Sequence, residues 1–316
     1  MPSVADILVP LFAAIALGAA CGAVRLFDLG QARTLSRFVF LVAMPVAVLD
    51  FMRATDPPGP AYAGLIGGYL LAMLAVAGLT LLACRRLLGL TTNEAGAAVF
   101  GTVCGNAVFL GLPIALAVGS WAPPFLILML CEGLFVFGIG AALMTWPAPG
   151  APRPRGGVAG LGALAGLRAA RNPIVLATLA GLALAVTRAA LPGPLAGFLD
   201  VFGGIAGPAG LFVLGLYLAL LPRGEARAFA RPLTLLLPIK LALFPALTGV
   251  LVWLFTRDGT FTATAILFTA LPPAVASIVQ AAHYRAWETG TAALVGSGTL
   301  LGLLSVSVGL VFLLPG

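Results

Sequence analysis

The sequence predicts an all-α polytopic membrane protein, ten transmembrane helices forming two inverted five-helix repeats, with helices four and nine interrupted and crossed. Three observations carry this. Hydrophobic residues make up 61% of the 316-residue chain and charged residues 9%, against about 25% charged in soluble domains. Arginine density alternates from one connection to the next. Two apolar stretches, 105–113 (Gly-Asn-Ala-Val-Phe-Leu-Gly-Leu-Pro) and 271–277 (Leu-Pro-Pro-Ala-Val-Ala-Ser), hold glycine, proline and asparagine where a spanning helix should run unbroken.

A spanning helix needs about 20 mostly apolar residues. Spans fall at 4–24, 34–52, 61–84, 94–119, 123–145, 172–190, 195–221, 232–256, 260–283 and 287–314. The first lacks the basic flank of a signal peptide and reads as a retained helix. Connections are short except 146–171, rich in Pro, Gly and Arg, which reads as a cytoplasmic linker between the halves 1–145 and 172–316.

Charge orients the spans. With the N-terminus outside, the inner connections hold Arg25, Arg33, Arg37, Arg85, Arg86, Arg153, Arg155, Arg168, Arg171, Arg223, Arg227, Arg231 and Arg285; the outer ones hold Arg53, Arg188 and Arg257. That bias predicts both termini outside. The net charge of +7 is thereby a topology signal, and no nucleic-acid partner is expected. Cys21, Cys84, Cys104 and Cys131 lie in or beside apolar segments without metal-ligand spacing, and there is one histidine. Neither a metal nor a cofactor is predicted.

The halves repeat. A shift of 163 residues superposes Pro10 on Pro173, Gly18 on Gly181, Arg25 on Arg188 and Pro45 on Pro208. Because five spans is an odd number, the second copy enters from the opposite side, the usual build of secondary transporters. Counting 1.5 Å per residue, Asn106 and Pro272 each lie about 18 Å from their own face, so the two interruptions meet near the middle of a core about 30 Å thick. Half-helices starting there present N–H groups and partial positive charge, which favours an anion.

Asn106 offers amide hydrogens to a carboxylate, and Ser277 and Gln280 can do so from the other break. The candidate substrate site is therefore Gly105, Asn106, Pro113, Pro272, Pro273, Ser277 and Gln280. Each proline alone also reads as a packing kink, and Asn106 as interhelical glue. Glu132 and Lys240 fall at similar depth, where ionisable groups are functional candidates by default. They either pair or flank the anion site. His283, near the inner end of span nine, is a candidate proton relay. Ser297 and Thr299 read better as sites of close helix approach than as cavity lining.

Gly105-Asn106 followed by Phe109-Leu110-Gly111-Leu112-Pro113 resembles the N-x-x-F-x-G-x-P signature of the auxin efflux carrier family, bacterial relatives of plant PIN carriers. Leu271-Pro272, Tyr284, Ser297 and Thr299 resemble that family's last two helices. The resemblance covers essentially the whole chain. It implies an elevator-type secondary carrier of small organic anions in the bacterial inner membrane, associated with malonate and other dicarboxylates rather than auxin itself. Helices 1, 2, 6 and 7 would form a dimerising scaffold, and helices 3–5 and 8–10 a moving transport domain. Asn106 would hold the substrate carboxylate, with Pro113 and Pro272 shaping the crossover.

Two other readings stand beside it. A cation/proton antiporter of similar build would place Asp or Glu beside the crossover, where the sequence offers the neutral Asn106, Ser277 and Gln280. A non-transporting sensor would keep the fold without flux. An enzyme is not expected, since neither HExxH, paired aspartates nor a phosphate loop is present. Proton coupling through Glu132 or His283, sodium coupling through side-chain oxygens, and no coupling all remain open.

Overall fold

The computed structural model describes residues 4–55, 59–146, 173–220 and 229–313. All but the first residue of the linker 146–171, with its four arginines, and Arg223 and Arg227, lie outside the described residues. Among the described residues the chain is helical and forms no strand. In order the helices are α1 Val4–Ala23, α2 Leu29–Arg53, α3 Pro60–Leu87, α4 Thr92–Val103, α5 (107–118), α6 Ala122–Met144, α7 Pro173–Thr187, α8 Gly193–Leu220, α9 Ala230–Thr256, α10 Gly259–Ala270, α11 Ala276–Tyr284 and α12 Glu288–Leu313. Six of them, α2, α3, α6, α8, α9 and α12, are long and apolar enough to cross a membrane.

Helix starts follow capping chemistry. Asp28 accepts the Gln31 N–H at 2.8 Å while Gln31 Oε1 accepts the Asp28 N–H at 2.9 Å, a reciprocal cap that satisfies two orphan donors. It starts α2 at Leu29, five residues before the expected 34, so Arg33 and Arg37 lie within the helix rather than in a connection. Thr91 and Glu94 form the same box before α4, and Asp258 caps α10 through the Phe261 N–H at 2.8 Å.

Three prolines sit just past a widened turn. The π turns Val39–Ala43, Ala107–Gly111 and Ile239–Leu243 each end two residues before a proline, Pro45, Pro113 and Pro245. Proline lacks the N–H and crowds the carbonyl four residues back; a π turn absorbs that mismatch without ending the helix. A fourth π turn, Glu132–Val136, lies in α6.

Packing falls into two sets. α1 lies along the second half of α8, and α7 along the second half of α2. The backbones nearly touch: a Cβ on Gly18 would stand 2.0 Å from Phe212 O, and one on Gly181 would stand 2.5 Å from Met52 Cβ. Small residues at such contacts hold membrane helices together where lipid supplies no hydrophobic drive. The other set joins α3 to α4 and α9, α4 to α6, α9 to α10, and α12 to α4, α10 and α11. Its aromatic centre stacks Phe268 edge-on against Phe125 (5.0 Å) and Tyr69 (5.6 Å) beside the break between α10 and α11.

Candidate functional site

The first interruption is Cys104-Gly105-Asn106, between α4 and α5. Asn106 is the centre of an inverse γ-turn, φ −75° and ψ 59°, closed by the Ala107 N–H donating to Gly105 O at 2.8 Å. Its own carbonyl accepts from Leu110 and Gly111 and so starts α5. Pro113 therefore does not make the break, as the sequence had suggested. It lies in the helical run Leu112–Val118, after the π turn, and its side chain is outside the described residues.

The second interruption, between α10 and α11, runs antiparallel to the first. Asn106 N–H donates to Pro272 O at 2.9 Å, Ala274 N–H donates to Cys104 O at 3.2 Å, and Gly105 faces Pro273 in an isolated β-bridge. Two broken helices thus satisfy one another's backbone groups, the condition for non-helical chain inside a membrane protein. Glycines on α12 accommodate the prolines: a Cβ on Gly298 or Gly302 would stand 2.7 Å from Pro273 or Pro272. Thr299 returns its hydroxyl to Val295 O at 2.7 Å. The close approach on this stretch of α12 is made by Gly298 and Gly302.

Glu132 belongs to this crossover. Gly105 N–H donates to its Oε1 at 2.8 Å. The neighbourhood is therefore not neutral, which corrects the expectation drawn from Asn106, Ser277 and Gln280 alone. The carboxylate comes from α6, 27 positions along the chain, and only the antiparallel return of that helix brings it level. Lys240, 0% exposed, lies on the π turn of α9, near enough to Glu132 for each charge to act on the other. They form no ion pair within 4.0 Å; among the described residues Lys240 Nζ has no hydrogen-bond partner, and it stands 5.2 Å from the Phe244 ring centroid.

A small, partly open cavity lies at the crossover. Its polar wall is Asn106, Cys104 and Glu132; Ala107, Val108, Val275 and Ala276 add the first residues of the two second half-helices. Phe40 and Met44 of α2 and Phe137 of α6 close the apolar side. Nothing in the sequence marked those three. The Asn106 side chain, 4% exposed, makes no capping bond to the helix that follows it.

Of the predicted site residues, Gly105, Asn106 and Glu132 line this cavity, while Pro272 and Pro273 support it from behind. Ser277 and Gln280 do not line it. Ser277 is buried beside Gly101 of α4, its hydroxyl without a partner among the described residues, and Gln280 is half-buried one turn further along α11. His283 is exposed at the far end of α11, edge-on to Tyr284 at 4.8 Å, and takes no part in the crossover.

Apolar helices, two of them broken and joined at their breaks beside a cavity, form the architecture of a membrane transporter. The chain belongs to the membrane transport protein family, the auxin efflux carrier family, whose profile matches residues 3–121 and 158–310. A protein of Rhizobium meliloti (strain 1021) named "Putative malonate transporter" is 31% identical over 227 residues, which is 71% of this chain and 68% of that protein. This chain is a multi-pass membrane transporter and not an enzyme.

Proposed function

We propose that the protein is a secondary carrier of small carboxylates, dicarboxylates such as malonate among them, with its substrate bound at the crossover. The observation that carries this is the Asn106 amide, which lines the cavity and whose oxygen makes no capping bond to the helix that follows it. Two half-helices begin at the same cavity and bring the partial positive charge of their N-termini to it, with the Ala107, Ser277 and Ile278 N–H groups already bonded to the carbonyls of Gly105, Ala274 and Val275. Buried Lys240 adds positive charge behind it. The name of the Rhizobium relative points to the same substrate class.

The chain on this reading has ten spans in two inverted repeats, 1–145 and 172–316, with both termini outside. Reciprocal packing supports it: span one meets span seven through Gly18, and span six meets span two through Gly181. Left-handed helix ends also recur at corresponding connections of the two halves, Arg25 with Arg188, Gly89 with Arg257 and Gly119 with Arg285. Arg231 Nη2 donates to Leu87 O at 2.9 Å, and Phe229 meets Trp287 edge-on, so three ends expected on the inner face lie together. In the plasma membrane, α1, α2, α7 and α8 act as a dimerising scaffold. The remaining helices move as the transport domain, carrying the cavity past Phe40 and Met44 of the scaffold in an elevator cycle.

One observation favours a second reading. Glu132 beside the crossover is what a cation/proton antiporter of this build requires. Uptake of radiolabelled carboxylates into proteoliposomes, wild type beside Asn106→Ala, separates the two. Saturable carboxylate uptake weakened in the variant supports the carrier. Cation-driven proton flux with no carboxylate uptake supports the antiporter, and a folded protein without either flux is a sensor.

A further inference from the structure

We infer that Glu132 is the coupling residue of this carrier, taking up one proton with each substrate anion, so that transport is proton–carboxylate symport. The inference rests on the proposed carboxylate site. Its starting point is a conflict within the cavity: the wall that offers Asn106 to an anion also holds a carboxylate, 5% exposed and bonded to the residue preceding Asn106. In a medium of low dielectric, two negative charges lining one cavity oppose each other strongly.

The titratable groups facing Glu132 are Lys240 from α9, Tyr69 from α3, Cys104 at the break and Cys131 beside it on α6. Only Lys240 brings a positive charge. With Glu132 ionised the pair is neutral and the cavity attracts no anion. With Glu132 protonated the pair carries one positive charge, which the incoming carboxylate neutralises. Hydronium in the cavity gives its proton to a carboxylate oxygen of Glu132 and becomes water, one O–H bond breaking as the other forms; on the opposite side the carboxyl returns the proton to water, regenerating hydronium and the carboxylate. Throughout, Oε1 accepts the Gly105 N–H, which both forms of a carboxyl can do. The turn that presents Asn106 therefore stays intact while the charge changes. By linkage, proton binding and anion binding strengthen each other by the same factor.

The test is [14C]malonate uptake into proteoliposomes at limiting substrate over a range of outside pH, for wild type, Glu132→Gln and Glu132→Asp. Glutamine keeps the acceptor for Gly105 but cannot titrate. In wild type, uptake rises as pH falls, by up to about tenfold per pH unit, the limit for one linked proton. Glu132→Gln flattens that slope whatever its absolute rate, and Glu132→Asp restores it. Malonate's own ionisation changes alike for all three proteins, so the difference in slope isolates Glu132. An equal slope in wild type and Glu132→Gln overturns the inference. If Glu132→Gln does not fold, calorimetry of malonate binding to wild type in buffers of different ionisation enthalpy decides: no proton taken up overturns it. Malonate counterflow in wild type reports on the carboxylate site separately. Its absence removes that site and the inference with it; its presence with a flat wild-type pH profile removes only the coupling.

Discussion

Asn106 N–H donates to Pro272 O at 2.9 Å, tying the break in one half of the chain to the break in the other. With the return bond from Ala274 to Cys104 O, at 3.2 Å, it makes the crossover a two-stranded clasp rather than two independent kinks. The clasp orients the side chains on either side of it, and the expectations below follow from that geometry.

Glu132→Ala removes the acceptor of the Gly105 N–H and leaves that donor buried. An unsatisfied buried donor costs roughly 1–3 kcal/mol. The variant should unfold at lower temperature in detergent than wild type, whereas Glu132→Gln, which keeps an acceptor oxygen, should stay close to it. Equal losses in the two would mean that charge, not the hydrogen bond, holds the site.

Lys240→Met should lower substrate affinity without a matching loss of stability. Nζ has no hydrogen bond to forfeit among the described residues, and methionine fills a similar volume at the Phe244 ring. Removal of the positive charge should raise the half-saturating malonate concentration about tenfold or more, read in counterflow. An unchanged value would remove Lys240 from the anion site.

Gly302→Leu should disrupt the clasp from behind. A Cβ there would stand 2.7 Å from Pro272 Cβ and 3.0 Å from its Cα, and overpacking of this kind costs roughly 1–3 kcal/mol. Gly309→Leu, where nothing stands within 4 Å, is the control and should keep its thermal midpoint.

Asp28→Ala should cost about 1 kcal/mol through loss of the α2 cap, seen as a small fall in thermal midpoint with transport retained. The residue lies at the end of a helix in the proposed scaffold, remote from the cavity.

The breaks were legible because glycine, proline and asparagine are expensive inside an apolar helix and so announce themselves. Asn106 and the Pro272-Pro273 pair marked the crossover to within a few residues. Pro113 misled because a proline reads as a break, whereas a π turn can absorb it and the chain instead unwinds at Cys104-Gly105-Asn106. Glu132 and Lys240 were visible as buried charges, but whether they pair depends on how helices rotate against each other, which hydropathy does not encode. Phe40, Met44 and Phe137 were invisible, since an apolar residue lining a cavity and one facing lipid carry the same pattern. Ser277 and Gln280 lay near the right break, but the rotation of α11 turns Ser277 toward α4.

The most direct test of the central claim is radiolabelled malonate uptake into proteoliposomes by wild type and Asn106→Ala, normalised to folded protein. Loss of a hydrogen bond to a charged group is worth about 1.5–3 kcal/mol, so the variant should take up malonate roughly 10- to 100-fold more slowly at limiting substrate. Its thermal midpoint should be close to wild type, because the clasp bonds at this residue use backbone atoms. Undiminished uptake in Asn106→Ala would contradict the account and move the carboxylate away from the crossover.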